Sequence, residues 1–551
     1  MAWFFLQASA SLAQEVPSVP DFPGRRPIPV VGEALMGPAP IRLPPIPAER
    51  STTMSGGARV RVDEIYVVGN TVLDPAVIAR LTQGFMGRVL DGEQIETLRS
   101  SLAGLYIKAG YVNTQVRWPD QDVTAGALRL EVIEGRLGRV VVRGEGHYRA
   151  TYLESRLEGL EGEPLNAFTL ERRLKSLEAE PGIRTLRARL VPGMEAGEAI
   201  LEVEVVESRR FTGALDFGNE LNPLIGEMAG HLSVGLLNPI GQGDRLGAIL
   251  GLSEGLRDIL VHYDVPVSNW GTELAVDFRY TDAAIVDGSL SGFDVDSTYW
   301  MGAVDLTQRL WSANGSSLVV GVRGEWRQSR STVGGFPFAF SDAANAEGEV
   351  RDSVLRFYQE WTTQRPNQAL ALRSTWSVGL DILGATSGET DTAEFAAWLG
   401  QAEWRWRHAE SGIEVGFRGS VQLALDPLLP FERYAIGGRY SVRGYRENAV
   451  VRDNGYALGF ELSLPLRLEP SGRSVLRAGP FADFGRSWSH GRSGRGGDTN
   501  LASVGVNAIW SPTPWFRAEF SYGAQLLDFA PVGDLGIQDH GLSFRVFARW
   551  P

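Results

Sequence analysis

From Phe211 to the end of the chain, apolar residues alternate with polar or small residues in short stretches that Gly, Asn, Asp and Pro turns separate. Alternation with a period of two predicts β-strands with one apolar face and one polar face. In residues 413–423 the apolar face carries Ile413, Val415, Phe417, Val421 and Leu423, and the polar face carries Glu414, Arg418, Ser420 and Gln422. One face of each strand therefore suits lipid and the other suits water.

The tryptophans support the same interpretation. Thirteen of the fifteen fall from Trp270 onward, and several lie near the ends of the alternating stretches. Aromatic residues at segment ends are typical of the interfacial girdles of outer-membrane β-barrels. The chain has no run of about eighteen apolar residues, so no transmembrane helix is expected, and lipid then permits only a closed barrel. We predict a transmembrane β-barrel of about sixteen strands over residues 209–551, wide enough to enclose a lumen.

The segments 59–135 and 136–208 have a different pattern, in which strand alternation encloses two stretches with helical spacing. Each segment has the order β-α-α-β-β, so the second repeats the first. The predicted fold is therefore mainly β: two small α/β domains followed by the barrel.

The first residues have the composition of a targeting segment. A short apolar stretch ends in small residues at Ser11 and Ala13, which indicates a signal-peptide remnant over residues 1–13. A disordered apolar tail is the alternative. Residues 14–58 are dense in proline, which excludes a long helix and predicts a semi-rigid linker.

Composition argues against several kinds of site. The chain has no cysteine, and its six histidines lack metal-ligand spacing, so neither a disulfide nor a metal site is expected. A formal net charge of −13 argues against a nucleic-acid partner. The sequence contains no phosphate-binding loop of the kind that nucleotide-driven motors use. We therefore expect no cofactor, no nucleotide and no nucleic acid.

One stretch matches a catalytic motif. GLSEG, from Gly251 to Gly255, fits the nucleophile elbow of serine hydrolases with Ser253 as the nucleophile. That elbow leads from a strand into a helix, whereas this stretch joins two alternating strands and favours a hairpin turn. His262 lies nearby, but a lone histidine on a strand more often lines a lumen or a girdle. An outer-membrane esterase that uses Ser253 is thus a remote alternative, and no catalytic residue is predicted.

The longest proline-bearing connection between predicted strands covers residues 426–454 and carries a basic stretch around Arg443. If this loop folds into the lumen, its guanidinium group needs a partner, and a carboxylate held by two hydrogen bonds is the best one. A solvated basic turn on the cell surface is the alternative.

Successive side chains of a strand point to opposite faces, and this alternation supplies candidate partners for Arg443. In residues 475–488 the inward set includes Phe481, Asp483 and Gly485, and in residues 456–466 it includes Glu461. Asp483 is the first candidate, and Glu461 is a secondary lumen candidate.

The loop and the strand together resemble the paired signature of the outer-membrane transporters of two-partner secretion systems, which share a superfamily with the barrel-assembly insertases. The loop motif V-R-G-F/Y falls on Val442, Arg443, Gly444 and Tyr445, and the strand motif F-x-D-x-G falls on Phe481, Asp483 and Gly485. In that family the loop reaches back into the barrel and its arginine pairs with the strand aspartate. The resemblance therefore implies that Arg443 pairs with Asp483. The two α/β segments resemble POTRA domains, and two is the number typical of these transporters.

The resemblance implies a protein-conducting channel in the bacterial outer membrane, with its POTRA domains in the periplasm. A large secreted exoprotein would bind these domains unfolded and pass outward through the barrel without nucleotide hydrolysis. An insertase that places other barrels into the membrane is the alternative, although two POTRA domains argue against it. The other implied partners are outer-membrane lipid and the barrel-assembly machinery, for which Phe547 and Trp550 are candidate signal residues.

The second α/β segment offers a candidate site for the exoprotein. Sheet edges and amphipathic grooves bind extended chains by adding a strand or by burying an apolar face. We expect such a site on the helix over residues 166–178 and the strand over residues 184–190. Its candidate residues are Asn166, Leu170, Leu174, Arg184, Leu186, Arg187 and Leu190. An ordinary domain surface is the alternative.

Overall fold

The structure is a computed structural model that describes residues 59–550, except for 124, 145, 158, 179, 181, 196, 289–290, 314, 469–473, 492–496 and 531–534. The predicted signal-peptide remnant and the proline-rich linker lie outside the described residues. The described chain divides into two compact units, one that ends at Ser208 and one that starts at Arg209. Among the described residues, no helix is both long enough and apolar enough to cross a lipid bilayer.

The first α/β segment packs two helices against a three-stranded sheet. Its elements are β1 (Val60–Val62), β2 (Glu64–Val68), α1 (Pro75–Gln83), β3 (Arg88–Leu90), α2 (Gly92–Lys108), β4 (Gln115–Arg117) and β5 (Ala127–Ile133). The main sheet has the order β2-β5-β4, and β1 pairs separately with β3. This short pair is an addition to the predicted β-α-α-β-β order. It is held because Val62 and Leu90, one from each strand, are buried in the domain core.

Helix α2 shows how the local sequence fixes an element. The backbone N–H of Gln94 donates to Asp91 Oδ1 at 2.9 Å, and the Asp91 N–H donates to Gln94 Oε1 at 3.0 Å. This capping box satisfies two of the donors that a helix N-terminus leaves unpaired. Ile95, Leu98 and Leu102 then recur at helical spacing and are buried in the domain core.

The second segment has the predicted β-α-α-β-β order. Its elements are β6 (Arg136–Arg143), α3 (Ala150–Leu157), α4 (Ala167–Glu178), β7 (Ile183–Pro192) and β8 (Glu198–Glu207). The sheet has the order β6-β8-β7, with β6 and β8 parallel and β7 antiparallel to β8. Strand β7 is therefore at an edge of the sheet.

All the remaining described strands belong to the second unit. They are β9 (Phe211–Gly218), β10 (Ala229–Leu237), β11 (Arg245–Leu252), β12 (Leu256–Pro266), β13 (Thr272–Ala284), β14 (Val295–Ala313), β15 (Ser316–Val333), β16 (Phe336–Pro337), β17 (Glu349–Arg365), β18 (Gln368–Gly379), β19 (Ala396–Arg407), β20 (Glu414–Ala424), β21 (Tyr434–Ile436), β22 (Val450–Arg452), β23 (Asn454–Leu468), β24 (Ser474–Trp488), β25 (Thr499–Thr513), β26 (Phe516–Gln525) and β27 (Leu542–Trp550). In this described part of the chain, sixteen of them close into one barrel; β16 only extends its rim, and β21 pairs with β22 apart from it. The predicted barrel and its strand number are confirmed.

The barrel closes where β27 pairs antiparallel with β9, from Arg545 opposite Gly218 to Trp550 opposite Gly213. Side chains alternate between its two faces: on β24 the Asp483 side chain is buried, whereas Phe484 is 38% exposed. Polar residues thus face the interior of the barrel and apolar residues face outward, which is the arrangement typical of outer-membrane barrels.

Candidate functional site

The connection between β20 and β23 reaches the inner face of the barrel wall. Its tip turns at Gly444, where φ is 92°, a backbone conformation that favours glycine. A Cβ atom at Gly444 would lie 2.6 Å from the carbonyl oxygen of Gly523 on β26. Residue 444 must therefore lack a side chain for two reasons: the backbone angle and the close approach to the wall.

Arg443 forms a bidentate ion pair with Asp483 of β24. Its Nε donates to Asp483 Oδ2 at 2.8 Å, its Nη2 donates to Oδ1 at 3.0 Å, and its backbone N–H donates to Oδ2 at 3.0 Å. The guanidinium carbon lies 3.6 Å from the centre of the Phe481 ring, within the range of a cation–π contact. Asp483 thus holds both the side chain and the backbone of the loop at this residue.

Glu461 on β23 and Arg418 on β20 complete this group. Arg443 Nη1 donates to Glu461 Oε2 at 2.7 Å, and Arg418 Nη2 donates to Asp483 Oδ2 at 3.0 Å. We call Arg443, Asp483, Glu461 and Arg418 the tip cluster. Arg418 was not among the predicted site residues, although its inward parity on β20 was a signal that pointed to it.

The other motif residues fit the loop to the wall by shape. Val442 and Tyr445 are buried, and the Tyr445 hydroxyl lies 2.9 Å from the carbonyl oxygen of Ala502 and 2.8 Å from that of Leu527. A Cβ atom at Gly485 would lie 2.8 Å from Val442 Cγ2. The strand motif F-x-D-x-G therefore supplies a ring beside the guanidinium, a carboxylate to pair with it, and room for the valine.

The tip cluster brings two guanidinium groups together with two carboxylates, so its formal charges balance. A buried ion pair holds two elements together firmly, since removal of one partner leaves an uncompensated buried charge. Such a cluster is suited to holding the loop in place. Among the residues that the structure describes, no group of three or more His, Asp or Glu side chains is placed to hold a metal ion.

The stretch around Ser253 has the geometry of a turn. It joins β11 to β12, and the Ser253 hydroxyl donates to the carbonyl oxygen of Ile225 at 2.6 Å. The nearby His262 instead lies 2.5 Å from Asp277 and 3.0 Å from Asp264 through its two ring nitrogens. A nucleophile elbow requires a strand that leads into a helix, so this geometry does not fit the esterase alternative.

Three of the residues expected to bind the exoprotein lie in the core of the second α/β domain. Leu170 and Leu174 of α4 are 0% exposed, and Leu186 of β7 is 6% exposed. They pack together in one cluster that spans the helix and the sheet. The prediction that these leucines contact a partner is therefore wrong, because an apolar helix face is buried against its own sheet before it can meet another chain.

The other four candidates lie at or near the surface. Asn166 precedes α4, and its Oδ1 accepts hydrogen bonds from the N–H groups of Phe168 and Thr169 at 3.0 and 3.2 Å, which is the role of a helix cap. Along the edge strand β7, Arg184 and Arg187 are exposed and Leu190 is partly exposed.

A family model described as haemolysin secretion/activation protein ShlB/FhaC/HecB matches residues 197–508, more than half of the chain. The chain belongs to this family. A model of the ShlB-type POTRA domain matches residues 60–135. The haemolysin secretion/activation family comprises two-partner secretion transporters, so the resemblance drawn from the loop and strand motifs is confirmed. The protein is an outer-membrane transporter, with POTRA structure on the periplasmic side.

Known proteins agree with this assignment. The outer membrane transporter CdiB of Escherichia coli is 26% identical over 483 residues, which is 84% of this chain and 78% of that protein. The solved structure of CdiB from Escherichia coli has a TM-score of 0.66 at 20% identity and covers 91% of this chain and 93% of that one. CdiB from Acinetobacter baumannii has a TM-score of 0.62 at 18% identity, with 92% and 93% covered. The two structures show a common fold, and the match to the haemolysin secretion/activation family favours a transporter over an insertase.

Proposed function

We propose that this protein conducts an unfolded exoprotein from the periplasm through the barrel lumen to the cell surface without nucleotide hydrolysis. Transporters of this family work with secreted partners, and a ring of sixteen strands is wide enough to enclose an aqueous path. The observation that carries the proposal is the tip cluster, because it holds a cell-surface loop on the inner face of that path.

The loop controls the shape of the path in this proposal. Arg443 is 5% exposed and donates hydrogen bonds to two strands, to Asp483 on β24 and to Glu461 on β23. A loop held at its tip by these contacts keeps one position in the lumen while the barrel wall stays intact. Loss of the contacts leaves the loop free to occupy other positions, including ones that obstruct the exoprotein.

The second POTRA domain receives the exoprotein at strand β7. An edge strand offers unpaired backbone groups to an extended chain, and β7 pairs with β8 on one side only in the described sheet. Its exposed Arg184 adds positive charge beside that edge, and the exposed Arg187 lies 3.7 Å from Glu204 of β8. An extended segment of the exoprotein would thus add to the sheet as a further strand.

A photo-crosslinking amino acid in place of Arg187 tests this docking mode. The side chain of Arg187 is 70% exposed, so the replacement leaves the domain core untouched. We expect an adduct with the exoprotein in illuminated cells. Met194 is 100% exposed in the turn between β7 and β8 and provides a matched control position. Equal adducts at Met194 and Arg187, or none at Arg187, would rule out the edge of β7 as the docking site.

The conduction step itself is tested with the full chain in sealed proteoliposomes. An unfolded exoprotein is added on the POTRA side in buffer that contains no nucleotide, and the fraction that becomes protected from external protease is measured. We expect protection at the same level with and without added ATP. Protection that requires ATP, or none in either condition, contradicts the proposal.

A further inference from the structure

The root of the same loop carries a second buried ion cluster. A short 3-10 helix, Pro430–Glu432, follows β20, and Glu432 at its end is 4% exposed. Arg356 Nη2 donates to Glu432 Oε1 at 2.6 Å, and Arg356 Nη1 donates to Oε2 at 3.0 Å. Arg327 Nη2 donates to the same Oε1 atom. The loop carboxylate is therefore bound by one arginine on β15 and another on β17.

The wall orients both arginines independently of the loop. Arg327 donates to the two carboxylate oxygens of Asp352 at 2.9 and 2.6 Å, and Arg356 Nε donates to Glu325 Oε2 at 3.0 Å. The bidentate contact with Asp352 fixes the plane of the Arg327 guanidinium group. The wall thus presents two oriented guanidinium groups, and the Glu432 carboxylate accepts hydrogen bonds from both.

Apolar contacts support the same attachment. The Phe431 ring lies 5.4 Å from the Arg327 guanidinium carbon and 5.7 Å from the centre of the Tyr299 ring. Leu429 is 0% exposed and packs in one cluster with Phe431 and Val350 of β17. The root is therefore packed against the wall as well as ion-paired to it.

The position of this attachment in the ring of strands determines the path of the loop across the lumen. Counted from β9 in barrel order, β15 is seventh, β17 is eighth and β26 is fifteenth of the sixteen strands. Seven residues after Glu432, Arg439 pairs with Glu519 of β26 and lies 3.1 Å from Glu220. The seventh and fifteenth strands face each other in a ring of this size. Seven extended residues span at most about 23–25 Å, so the loop crosses the lumen between opposite walls.

We propose that Glu432, Arg327 and Arg356, named here the root cluster, are positioning residues that set where the loop crosses the lumen and so keep the resting channel closed. The tip cluster holds the loop to β20, β23 and β24 and Arg439 pairs with β26, whereas the root cluster attaches the loop to β15 and β17, on the wall opposite β26. Loss of the root cluster releases the segment between Glu432 and Arg439, which crosses the lumen, even when the tip cluster is intact. This inference rests on the proposed conducting function, but it concerns the resting channel and not the exoprotein.

The test is the ion conductance of the purified full-length protein in planar lipid bilayers, without exoprotein. Glu432→Gln keeps the size of the side chain and removes its charge. Because a broken buried ion pair leaves an uncompensated buried charge, we expect open-channel events to increase about tenfold or more. Arg356→Lys keeps the charge but loses the two-pronged contact, and we expect a smaller increase.

Two controls decide the interpretation. Glu360→Gln neutralises another buried carboxylate of β17, one that pairs with Arg373 of β18 at 3.7 Å, and should conduct like the wild type. Heat-modifiable mobility on gels confirms that each variant forms a folded barrel. Wild-type conductance in folded Glu432→Gln, or an equal increase in Glu360→Gln, overturns the proposal. If Glu432→Gln does not fold, wild-type conductance in folded Arg356→Lys overturns it. Failure of the wild-type protein to transport the exoprotein, together with raised conductance in Glu432→Gln, would count against the conducting function alone.

Discussion

The tip and the root of one loop are both attached to the barrel wall by buried ions, but with opposite signs. At the tip the loop supplies the cation, Arg443, and the wall supplies carboxylates from Asp483 and Glu461. At the root the loop supplies the carboxylate of Glu432, and the wall supplies the guanidinium groups of Arg327 and Arg356. Each end of the loop thus pairs with wall groups of the opposite charge.

The two attachments also differ in how much they depend on the backbone. The tip needs a positive φ at Gly444 and a glycine at residue 485, where a side chain would meet Val442. The root has ordinary backbone at Leu429 and Arg433, with φ of −57° and −66°. The tip is thus a shape-specific fit that tolerates little change, whereas the root depends on charge and apolar packing.

Outside the Arg443–Asp483 pair, the substitution with the largest expected effect is Gly444→Ala. A positive φ costs a residue with a side chain about 1–3 kcal/mol, and the new Cβ would lie 2.6 Å from the Gly523 carbonyl oxygen. We expect the tip to leave its site. A loss of about 1.4 kcal/mol of attachment energy changes the equilibrium for loop attachment tenfold, so exoprotein secretion should fall about tenfold or more. Secreted exoprotein is measured by immunoblot, normalised to the amount of inserted barrel.

A control separates the close approach from the backbone angle. Gly334 also has a positive φ, of 57°, but nothing lies within 4 Å of the Cβ that alanine would add there. Gly334→Ala should therefore secrete at a level close to the wild type. Equal losses in Gly334→Ala and Gly444→Ala would show that the fit of the tip to β26 is not what matters.

A smaller effect is expected for Glu461→Gln. Glu461 accepts one hydrogen bond from Arg443 at 2.7 Å, whereas Asp483 accepts three from that residue. Loss of one charge-assisted hydrogen bond costs about 1.5–3 kcal/mol at most, and glutamine retains an acceptor. Secretion should drop partially, and by less than in Asp483→Asn measured in the same assay. A larger loss in Glu461→Gln than in Asp483→Asn would reverse the ranking of the two carboxylates.

Much of the barrel could be predicted from the sequence, because alternation reports directly which face of a strand meets lipid. The same parity turned Asp483 and Glu461 inward without knowledge of any partner strand. The root cluster could not be found in this way. Its partners lie 76 and 105 residues before Glu432 in the chain, and parity does not tell which inward arginine a loop will reach.

The candidate residues in the second α/β segment show the opposite limitation. Helical spacing correctly marked Leu170 and Leu174 as one apolar face, but an apolar face looks the same in a sequence whether it meets its own sheet or another chain. Burial in the domain core decides between the two. The β1–β3 pair was missed because three-residue strands are too short for alternation to reveal them.

A double-mutant cycle on Arg443→Ala and Asp483→Ala tests the central claim most directly. Secretion is measured for each single variant, the double variant and Arg486→Ala, a control on the exposed part of β24, with heat-modifiable mobility showing that every barrel has inserted. Each single change should cost about 3–5 kcal/mol of loop attachment, since it leaves a buried charge uncompensated. We predict a severe loss of secretion in both single variants, no further loss in the double variant, and none in Arg486→Ala. Wild-type secretion by both single variants would contradict the account.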